Sequence, residues 1–585
     1  MEKDIDYEEK QHMYRHSMAH VLAKAIKELY PDAKLAIGPA IDNGFYYDFD
    51  NLTVSAEDFS RIEEKMKEII ARNEDFKCVE VSKDKAHEMF KNEPYKLQLI
   101  DRLEDGEKIT MYYTGDDFYD LCRGPHVENT KFLRGFSFKM NRVNGAYWLG
   151  SEKNKMLTRI YVYGFLNKDD LKECIRHEEE ARERDHRKLG KELGIFMFSE
   201  LVGKGLPMWL PKGYIVRREL SDYIINKEIA LGYQHVMTPS LGNVNLYKTS
   251  GHWEHYKDDM FPAMELDDEA YVLRPMNCPH HMMIYKNFMH SYRDLPLRLA
   301  EIANHFRFEA SGALCGIERS RAFTQNDSHI FCRPDQIKDE VEGVIKLILD
   351  VYKDFGFKNY KFRLSLRDKN NTEKYFGNDD LWVKSENALR EILKNSGAEY
   401  YEAEGEAAFY GPKIDVQVES AIGHDITLST VQLDYQLPER FELEYVDEKG
   451  ERVRPVVIHR AILGSLDRFV AFILEETKGN LPVWLSPVQA KIITVSEHND
   501  LYAKSVETAL KENGIRVECD LENESVGKKI RSAVLEKSPY ILVLGDKEMA
   551  DGTVAVRVRG SKDTTTHSLQ DFIAELKLAI SNKTL

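Results

Sequence analysis

His16 and His20 stand four residues apart in a stretch whose apolar residues recur at helical spacing, so both rings fall on one helix face. Cys122 and His126 follow downstream in Asp120-Leu121-Cys122-Arg123-Gly124-Pro125-His126. Four N and S ligands of this kind suffice for a tetrahedral zinc site; two unrelated surface pairs account for them as well. A second local grouping is Cys278-Pro279-His280-His281, where a structural cysteine is the plainer reading. Arginines form the third set: Arg307 in Asn304-His305-Phe306-Arg307-Phe308-Glu309, then Arg319, then Arg468 in Gly464-Ser465-Leu466-Asp467-Arg468-Phe469. A guanidinium is always charged and binds oxygens in pairs. It therefore suits chemistry in which negative charge develops on a phosphate. One arginine alone is more often a surface residue; the ordered combination carries the argument. No G-x-x-x-x-G-K-[ST] segment is present, which disfavours a P-loop ATPase.

These residues need elements to hold them. Met13, Ala19, Val21, Leu22, Ala25, Ile26 and Leu29 predict a helix over 8–29, ended by Pro31. Mixed strands and helices follow to about residue 166. Interleaved charges from 167 to 191, with no Pro and with Gly only at 190, predict an exposed linker helix. Alternation at 360–366, 413–418 and 426–433, with long helices between, predicts an α+β domain on an antiparallel sheet over 186–484. Residues 482–487 read as a second linker. Strands at 491–495, 516–519, 540–544 and 554–558 alternate with helices at 502–513, 526–537 and 569–581, which predicts a small doubly wound α/β sheet.

With 585 residues the chain exceeds one core and divides into three or four domains. No apolar run reaches the length of a membrane span, and the charged N-terminus has no secretory h-region. Seven cysteines fit reduced thiols, so a cytoplasmic protein is expected. The formal net charge of −17 argues against a generally basic, nucleic-acid-coating protein. Local clusters remain, Lys528, Lys529 and Arg531, and Arg557, Arg559 and Lys562, each of which also reads as a solvated face.

The segments at 304–309, 322–329 and 459–469, with Arg274-Pro275-Met276-Asn277-Cys278-Pro279, resemble the signatures of class II aminoacyl-tRNA synthetases of the threonyl type, in their bacterial form. The resemblance spans essentially the whole chain. It implies an α+β multidomain protein: an α+β editing domain (1–166), a linker helix (167–185), a class II antiparallel-sheet catalytic domain (186–484) and a doubly wound anticodon-binding domain (485–585). The small ubiquitin-like domain that often precedes the editing domain is expected to be absent.

The family's chemistry is threonine activation with ATP, transfer to tRNA(Thr), and hydrolysis of mischarged seryl-tRNA. On the matching positions, Arg307 holds the α-phosphate and the carboxylate, Glu309 reads the adenine amino group, Phe323 stacks on the base, Arg468 covers its other face and the γ-phosphate, and Arg319 is a further phosphate cation; Mg2+ accompanies ATP. The family also implies one Zn2+ on Cys278, His329 and His459, a set that no spacing rule finds. Threonine and valine are near isosteres, which an apolar pocket separates poorly. A zinc ion takes both the amino and hydroxyl groups of threonine. Asp327 accepts the hydroxyl proton, and Met276, Gln325, Tyr410, Lys413 and Gln432 line or adjoin the pocket. Where some relatives read Trp-Gln before Cys-Gly-Thr, this chain has Ile426-Thr427-Leu428-Ser429-Thr430.

Serine carries the same metal-binding groups and lacks only a methyl, worth roughly 1–3 kcal/mol, so a second site is expected to remove it. The resemblance assigns that work to His16, His20, Lys96, Asp120, Cys122 and His126; in the threonyl type such a site generally works without zinc. His16 either orients the water or binds the terminal ribose. Asn523, Arg531, Glu548 and Arg557 fall where anticodon contacts are expected. The segment 214–239 suits an isologous homodimer interface. A prolyl-type enzyme would lack the Cys278, His329, His459 set, and a non-catalytic regulator could dispense with Arg307 or Arg468.

Overall fold

The computed structural model describes residues 6–583 apart from 105, 152, 372–373, 376–378, 422 and 424. Its contacts divide the chain into Met1–Glu179 and Glu180–Leu585.

In the first unit, helix α1 (Tyr7–Leu29) starts where the Asp6 carboxylate accepts from the Tyr7 N–H, and it buries Met18, Val21, Leu22 and Ile26. Its apolar stripe packs with β1 (Gly44–Asp50) and α2 (Phe59–Ala71) in one core. Strand β2 (Phe76–Val81) opens a second, three-stranded antiparallel sheet, completed after α3 (Pro94–Asp101) by β3 (Ile109–Thr114) and β4 (Phe118–Leu121). Strands β5 (Ser137–Tyr147) and β6 (Met156–Phe165) pair antiparallel, and β6 pairs with β1.

The charged stretch expected as one exposed linker helix is two helices. Helix α4 (Lys168–Arg184) ends at Asp185, whose carboxylate accepts from the Arg187 N–H at 2.8 Å and caps α5 (His186–Glu192). His186 and Leu189 of α5 are buried, so only the first helix matches the expected exposure.

The second unit centres on an eight-stranded sheet. After α6 (Pro211–Ala230) come β7 (Gln234–His235), α7 (Cys278–Lys286), β8 (Leu297–Phe306), β9 (Ala322–Cys332) and α8 (Ile337–Asp354). Then follow β10 (Tyr360–Leu366), α9 (Asp379–Ser396), β11 (Tyr400–Glu404), β12 (Lys413–Glu419), β13 (Asp425–Asp434), α10 (Gln436–Arg440), β14 (Val456–Ser465) and α11 (Leu466–Thr477). The strand order is β7-β8-β9-β14-β13-β12-β10-β11, antiparallel except for its two outermost pairs. Helix α8 covers one face with Val341, Val344, Ile345, Ile348 and Val351, spaced at three and four. That leaves the other face for chemistry.

The last hundred residues form a five-stranded sheet of order β16-β15-β17-β18-β19, from β15 (Ala490–Thr494), α12 (Asp500–Glu512), β16 (Val517–Asp520), α13 (Val526–Leu535), β17 (Tyr540–Leu544), α14 (Asp546–Asp551), β18 (Thr553–Val558), β19 (Thr565–Ser568) and α15 (Leu569–Ser581). Its first three strands are parallel, wound by α12 and α13; the last two run antiparallel, through two short elements with weak sequence signals. The 482–487 segment is packed rather than loose: Trp484 and Leu485 are buried, and Arg516 donates to the Trp484 carbonyl at 2.6 Å.

Candidate active site

Strand pairing joins residues that lie far apart in sequence. In the antiparallel ladder of β9 and β14, His329 faces His459, and on the other side of β14 His459 faces Gln432 of β13. Cross-strand partners project from the same side, and the two rings lie 4.6 Å apart between centroids. Period-two alternation along β9 puts Gln325, Asp327 and His329 in one row, adjusted by a register shift between Gln325 and Asp327. Cys278 comes from elsewhere, at the first turn of α7. The ligand atoms of Cys278, His329 and His459 lie within 4.8 Å of one another, all three residues buried.

The donor set fits a metal cation. His459 Nε2 donates to Asp434 at 2.8 Å, while its Nδ1 is buried without a partner; Nε2 of His329 is likewise buried and unpartnered. Two orphaned imidazole nitrogens beside a thiol are what a thiophilic cation would satisfy. Burial, with Asp327 and Asp434 nearby, pushes the Cys278 thiol well above its ordinary value; a bound cation would remove that proton. Burial also pushes the Asp327 carboxyl up to about 6.

A cleft of about 1050 Å³ opens on this face. Cys278 and His459 border it, as do Met276, Gln325, Asp327, Tyr410, Lys413 and Gln432. Arg307, Glu309, Arg319, Phe323 and Arg468 line it too. The Arg307 guanidinium stands 5.1 Å from the Phe323 ring centroid. Arg468 lies in the first turn of α11, where the Ser465 hydroxyl caps its N–H, and its Nε donates to the Glu318 carbonyl at 3.3 Å. Burial, then the neighbouring charges of Arg319 and Arg307, pushes the Arg468 guanidinium down, against the opposing pull of Glu318 and Glu309: three cations converge on this wall with two carboxylates among them. Lys413 pairs with Asp415 at 2.9 Å, and Gln432 donates to the Gly411 carbonyl at 3.4 Å.

Three residues of this site escaped the sequence. Asp434 orients His459. His281, read above as part of a local Cys-His-His grouping, instead meets Nδ1 of His329 at 2.9 Å through its own Nδ1, and Glu301 of β8 receives Nε2 of His281 at 3.1 Å. His280 turns away, its Nε2 at 3.4 Å from the Leu241 carbonyl. No spacing signal marks these partners, because the sheet register creates them.

The first unit holds a separate cluster. His16 and His20 lie on one face of α1, and their ligand atoms lie within 4.8 Å of those of Cys122 and His126. The Cys122 sulfur is 3.1 Å from Nε2 of His16 and 3.1 Å from Nε2 of His126. Ser17 approaches Nδ1 of His126 at 3.1 Å. Burial holds all three histidines below their ordinary value and pushes the Cys122 thiol up to about 12. Lys96 of α3 pairs with Asp120 of β4 at 2.5 Å, and Tyr47 of β1 donates to the same carboxylate at 2.5 Å. Tyr47, absent from the sequence reading, is fixed in turn: a Cβ on Gly38 would sit 2.1 Å from its ring.

Among the last hundred residues Asn523, in the loop after β16, and Arg531 of α13 are exposed, whereas Glu548 of α14 and Arg557 of β18 are half-buried. Glu548 accepts from the Gly545 N–H at 2.9 Å, and Arg557 Nε donates to the Ser561 carbonyl at 2.9 Å. No hydrogen bond joins these four to one another among the described residues. Of the two basic clusters, Lys529 is buried and Arg559 is tied to the carbonyls of Lys537, Asn480 and Leu481, so neither belongs to an open basic face.

Comparison with known proteins adds the following. Residues 261–477 match the tRNA synthetase class II core domain (G, H, P, S and T), residues 489–578 an anticodon binding domain, and residues 109–161 the threonyl and alanyl tRNA synthetase second additional domain. The threonine–tRNA ligase of Geobacillus sp. (strain WCH70) is 55% identical over 570 residues, 97% of this chain and 88% of that protein. That of Staphylococcus carnosus (strain TM300) is 55% identical over 566 residues, 96% and 87% of the two chains. Among solved structures, the RNA binding domain of threonyl-tRNA synthetase from Cryptosporidium parvum Iowa II superposes with a TM-score of 0.65 at 40% identity, covering 68% of this chain and 98% of that one. A putative threonyl-tRNA synthetase from Aeropyrum pernix gives 0.61 at 27%, covering 68% and 97%.

Proposed function

The chain belongs to the threonine–tRNA ligases among the class II aminoacyl-tRNA synthetases, and from that premise we propose how its residues divide the work. It activates threonine with ATP, transfers the threonyl group to tRNA(Thr), and clears mischarged seryl-tRNA. The observation that carries the assignment is the convergence of Cys278, His329, His459 and Asp327 beside an arginine-walled cleft.

In activation, the threonine carboxylate attacks the α-phosphorus of ATP, and the bond to pyrophosphate breaks. Charge grows on the α-phosphate oxygens and on the leaving group. Arg307 holds the carboxylate and the α-phosphate together, which converts a bimolecular encounter into an oriented one. Arg468 and Arg319 stabilise the leaving phosphates, and burial strengthens each of these interactions. Phe323 stacks on the adenine and Glu309 accepts from its amino group. Mg2+ enters with ATP.

Zinc is the cation we assign to Cys278, Nε2 of His329 and Nδ1 of His459. When bound, it offers positions for the amino and hydroxyl groups of threonine, a pair valine lacks. Asp327 accepts the hydroxyl hydrogen, while Tyr410, Met276, Gln325, Lys413 and Gln432 enclose the rest. ATP–pyrophosphate exchange with each of the twenty amino acids tests the reading: threonine should support it best, with serine well behind, and equal rates with valine would sink it.

Residues 1–166 we assign to editing, 167–185 to a linker, 186–484 to catalysis and 485–585 to the anticodon, through Asn523, Arg531, Glu548 and Arg557. In editing, His16, the least depressed of the three rings, can orient water and take its proton, His20 and His126 stay neutral and hold their neighbours, and Lys96 on Asp120 holds charge near the ester. The protein works in the cytoplasm, and no helix among the described residues is long and apolar enough to cross a membrane. Tyr214, Ile229, Leu231 and Met237 are exposed apolar residues on and after α6, which supports a homodimer through that segment. Sedimentation at micromolar concentration should give twice the 67.9 kDa chain mass; a monomer alone would refute it.

A further inference from the structure

We propose that Glu301, acting through His281, fixes which nitrogen of His329 faces the metal, and thereby sets the zinc affinity of the cleft. The inference rests on the zinc reading above. Glu301 is the cross-strand partner of Asp327, so both carboxylates rise from one face of the sheet. It is only 2% exposed, yet it is well supplied with donors: the Thr238 N–H at 2.9 Å, the Thr238 hydroxyl at 2.9 Å, Arg274 Nη2 at 3.2 Å, Asn277 Nδ2 at 3.0 Å and His281 Nε2 at 3.1 Å. Burial works against its charge, but these bonds and Arg274 outweigh it and hold the carboxyl well below its ordinary range.

The consequence is directional. An ionised carboxylate can only accept, so His281 carries its hydrogen on Nε2. The Asn277 amide nitrogen, 3.4 Å from the same atom, gives its hydrogen to Glu301 instead. With its hydrogen on Nε2, the His281 ring offers a bare Nδ1, which lies 2.9 Å from Nδ1 of His329. That contact is a hydrogen bond only when His329 holds its hydrogen on Nδ1. Nε2 of His329, the nitrogen buried without a partner, is left with its lone pair available beside Cys278 and His459. A carboxylate one residue removed from the ligand therefore chooses the ligand's tautomer. Glu301 and His281 are positioning residues; neither touches substrate.

Glu301→Gln tests the direction as well as the contact. The amide oxygen can still serve Arg274 and Thr238, but its NH2 then points at His281. The Nε2 of His281 must now accept, its Nδ1 donates to His329, and the hydrogen of His329 moves to the metal-facing nitrogen. Zinc affinity is measured on the full chain by competition with a chromogenic chelator, for the wild type, Glu301→Gln, His281→Phe, the double variant and Cys278→Ser. We expect zinc to bind about 10–100-fold more weakly in each of the two positioning variants. The double variant should be no worse than the weaker single, because the residues act as one chain. Excess zinc should restore threonine-dependent exchange in both single variants, a recovery that a misfolded cleft would not show. If Glu301→Gln fails to fold, His281→Phe carries the test alone. Wild-type affinity in the positioning variants, with zinc lost from Cys278→Ser, overturns the relay and leaves the zinc reading standing. Zinc retained by Cys278→Ser overturns the zinc reading, and the relay falls with it.

Discussion

In the arginine-walled cleft both histidines proposed as zinc ligands are backed by carboxylates, His459 by Asp434 directly and His329 by Glu301 through His281. The N-terminal cluster has the same residue types, one cysteine among histidines, but another wiring. There His126 meets the Ser17 hydroxyl, Nδ1 of His16 and of His20 has no partner among the described residues, and the nearby carboxylate of Asp120 is taken by Lys96 and Tyr47 rather than by a ring. Rings whose tautomer is dictated by a buried acceptor can only present a lone pair to a cation. Rings that are neutral, partly unpaired and next to an ion pair can exchange a proton with a bound substrate. On the assignments proposed here, wiring more than composition separates the zinc cleft from the editing cluster.

The largest effect should come from removing a ligand. Cys278→Ser is expected to lose zinc and to lower threonine-dependent exchange by more than about 100-fold, since even backing residues cost 10–100-fold. Seryl-tRNA hydrolysis should continue at its usual rate. Metal analysis and the two assays on one preparation decide it: retained zinc with normal activation would erase the distinction drawn between the clusters.

The next effect inverts the first. The His16→Ala, His20→Ala double variant should slow seryl-tRNA hydrolysis by about 100-fold or more, the usual weight of positioned proton transfer. Serine mischarging should rise, while threonine charging and zinc content stay near normal. If seryl-tRNA disappears as fast as before, the cluster is structural. If instead zinc content falls, the cluster binds metal and the contrast in wiring has been misread.

How far the sequence reached follows the same physical line. Local order was legible: α1, α15 and β10 lie where periodicity puts them, because a stripe of apolar residues at fixed spacing suffices. His16 and His20 were legible as neighbours since one helix carries both. His329 and His459 were not, because only the register of β9 on β14 brings them together, and the resemblance to the threonyl family was the sole guide to that pair. Asp434, Glu301 and Tyr47 escaped altogether; buried partners of ligands leave no periodic trace. The charge pattern alone missed the break at Asp185, since a run of alternating charges hides one capping aspartate, whereas the family-based boundary falls at that residue. Charge clusters misled in another way: Lys529 and Arg559 sit within basic runs, yet their donors are consumed by backbone oxygens.

That last point yields the smallest and most discriminating test. Arg557 and Arg559 are two apart, but Arg557 lies within β18 and Arg559 just beyond its end at Val558, where its guanidinium meets other partners. Arg559 gives Nη1 to the Lys537 carbonyl at 3.0 Å and Nη2 to the Leu481 carbonyl at 2.9 Å, bracing the segment before the C-terminal sheet. Arg557 hydrogen-bonds only through Nε, to Ser561 at 2.9 Å, among the described residues, so its Nη groups remain for a ligand. If consumed polar atoms mark structure and free ones mark binding, the two substitutions must diverge. Arg557→Ala should raise the Michaelis constant for tRNA by about 10-fold, within the roughly 1–3 kcal/mol of one base contact, with exchange and thermal midpoint unchanged. Arg559→Ala should leave the tRNA constant alone and destabilise the fold by about 1–3 kcal/mol, from carbonyls left without donors. Equal loss of tRNA binding in both would mean the surface acts through diffuse charge. Equal loss of stability would mean that Arg557, too, only holds the sheet.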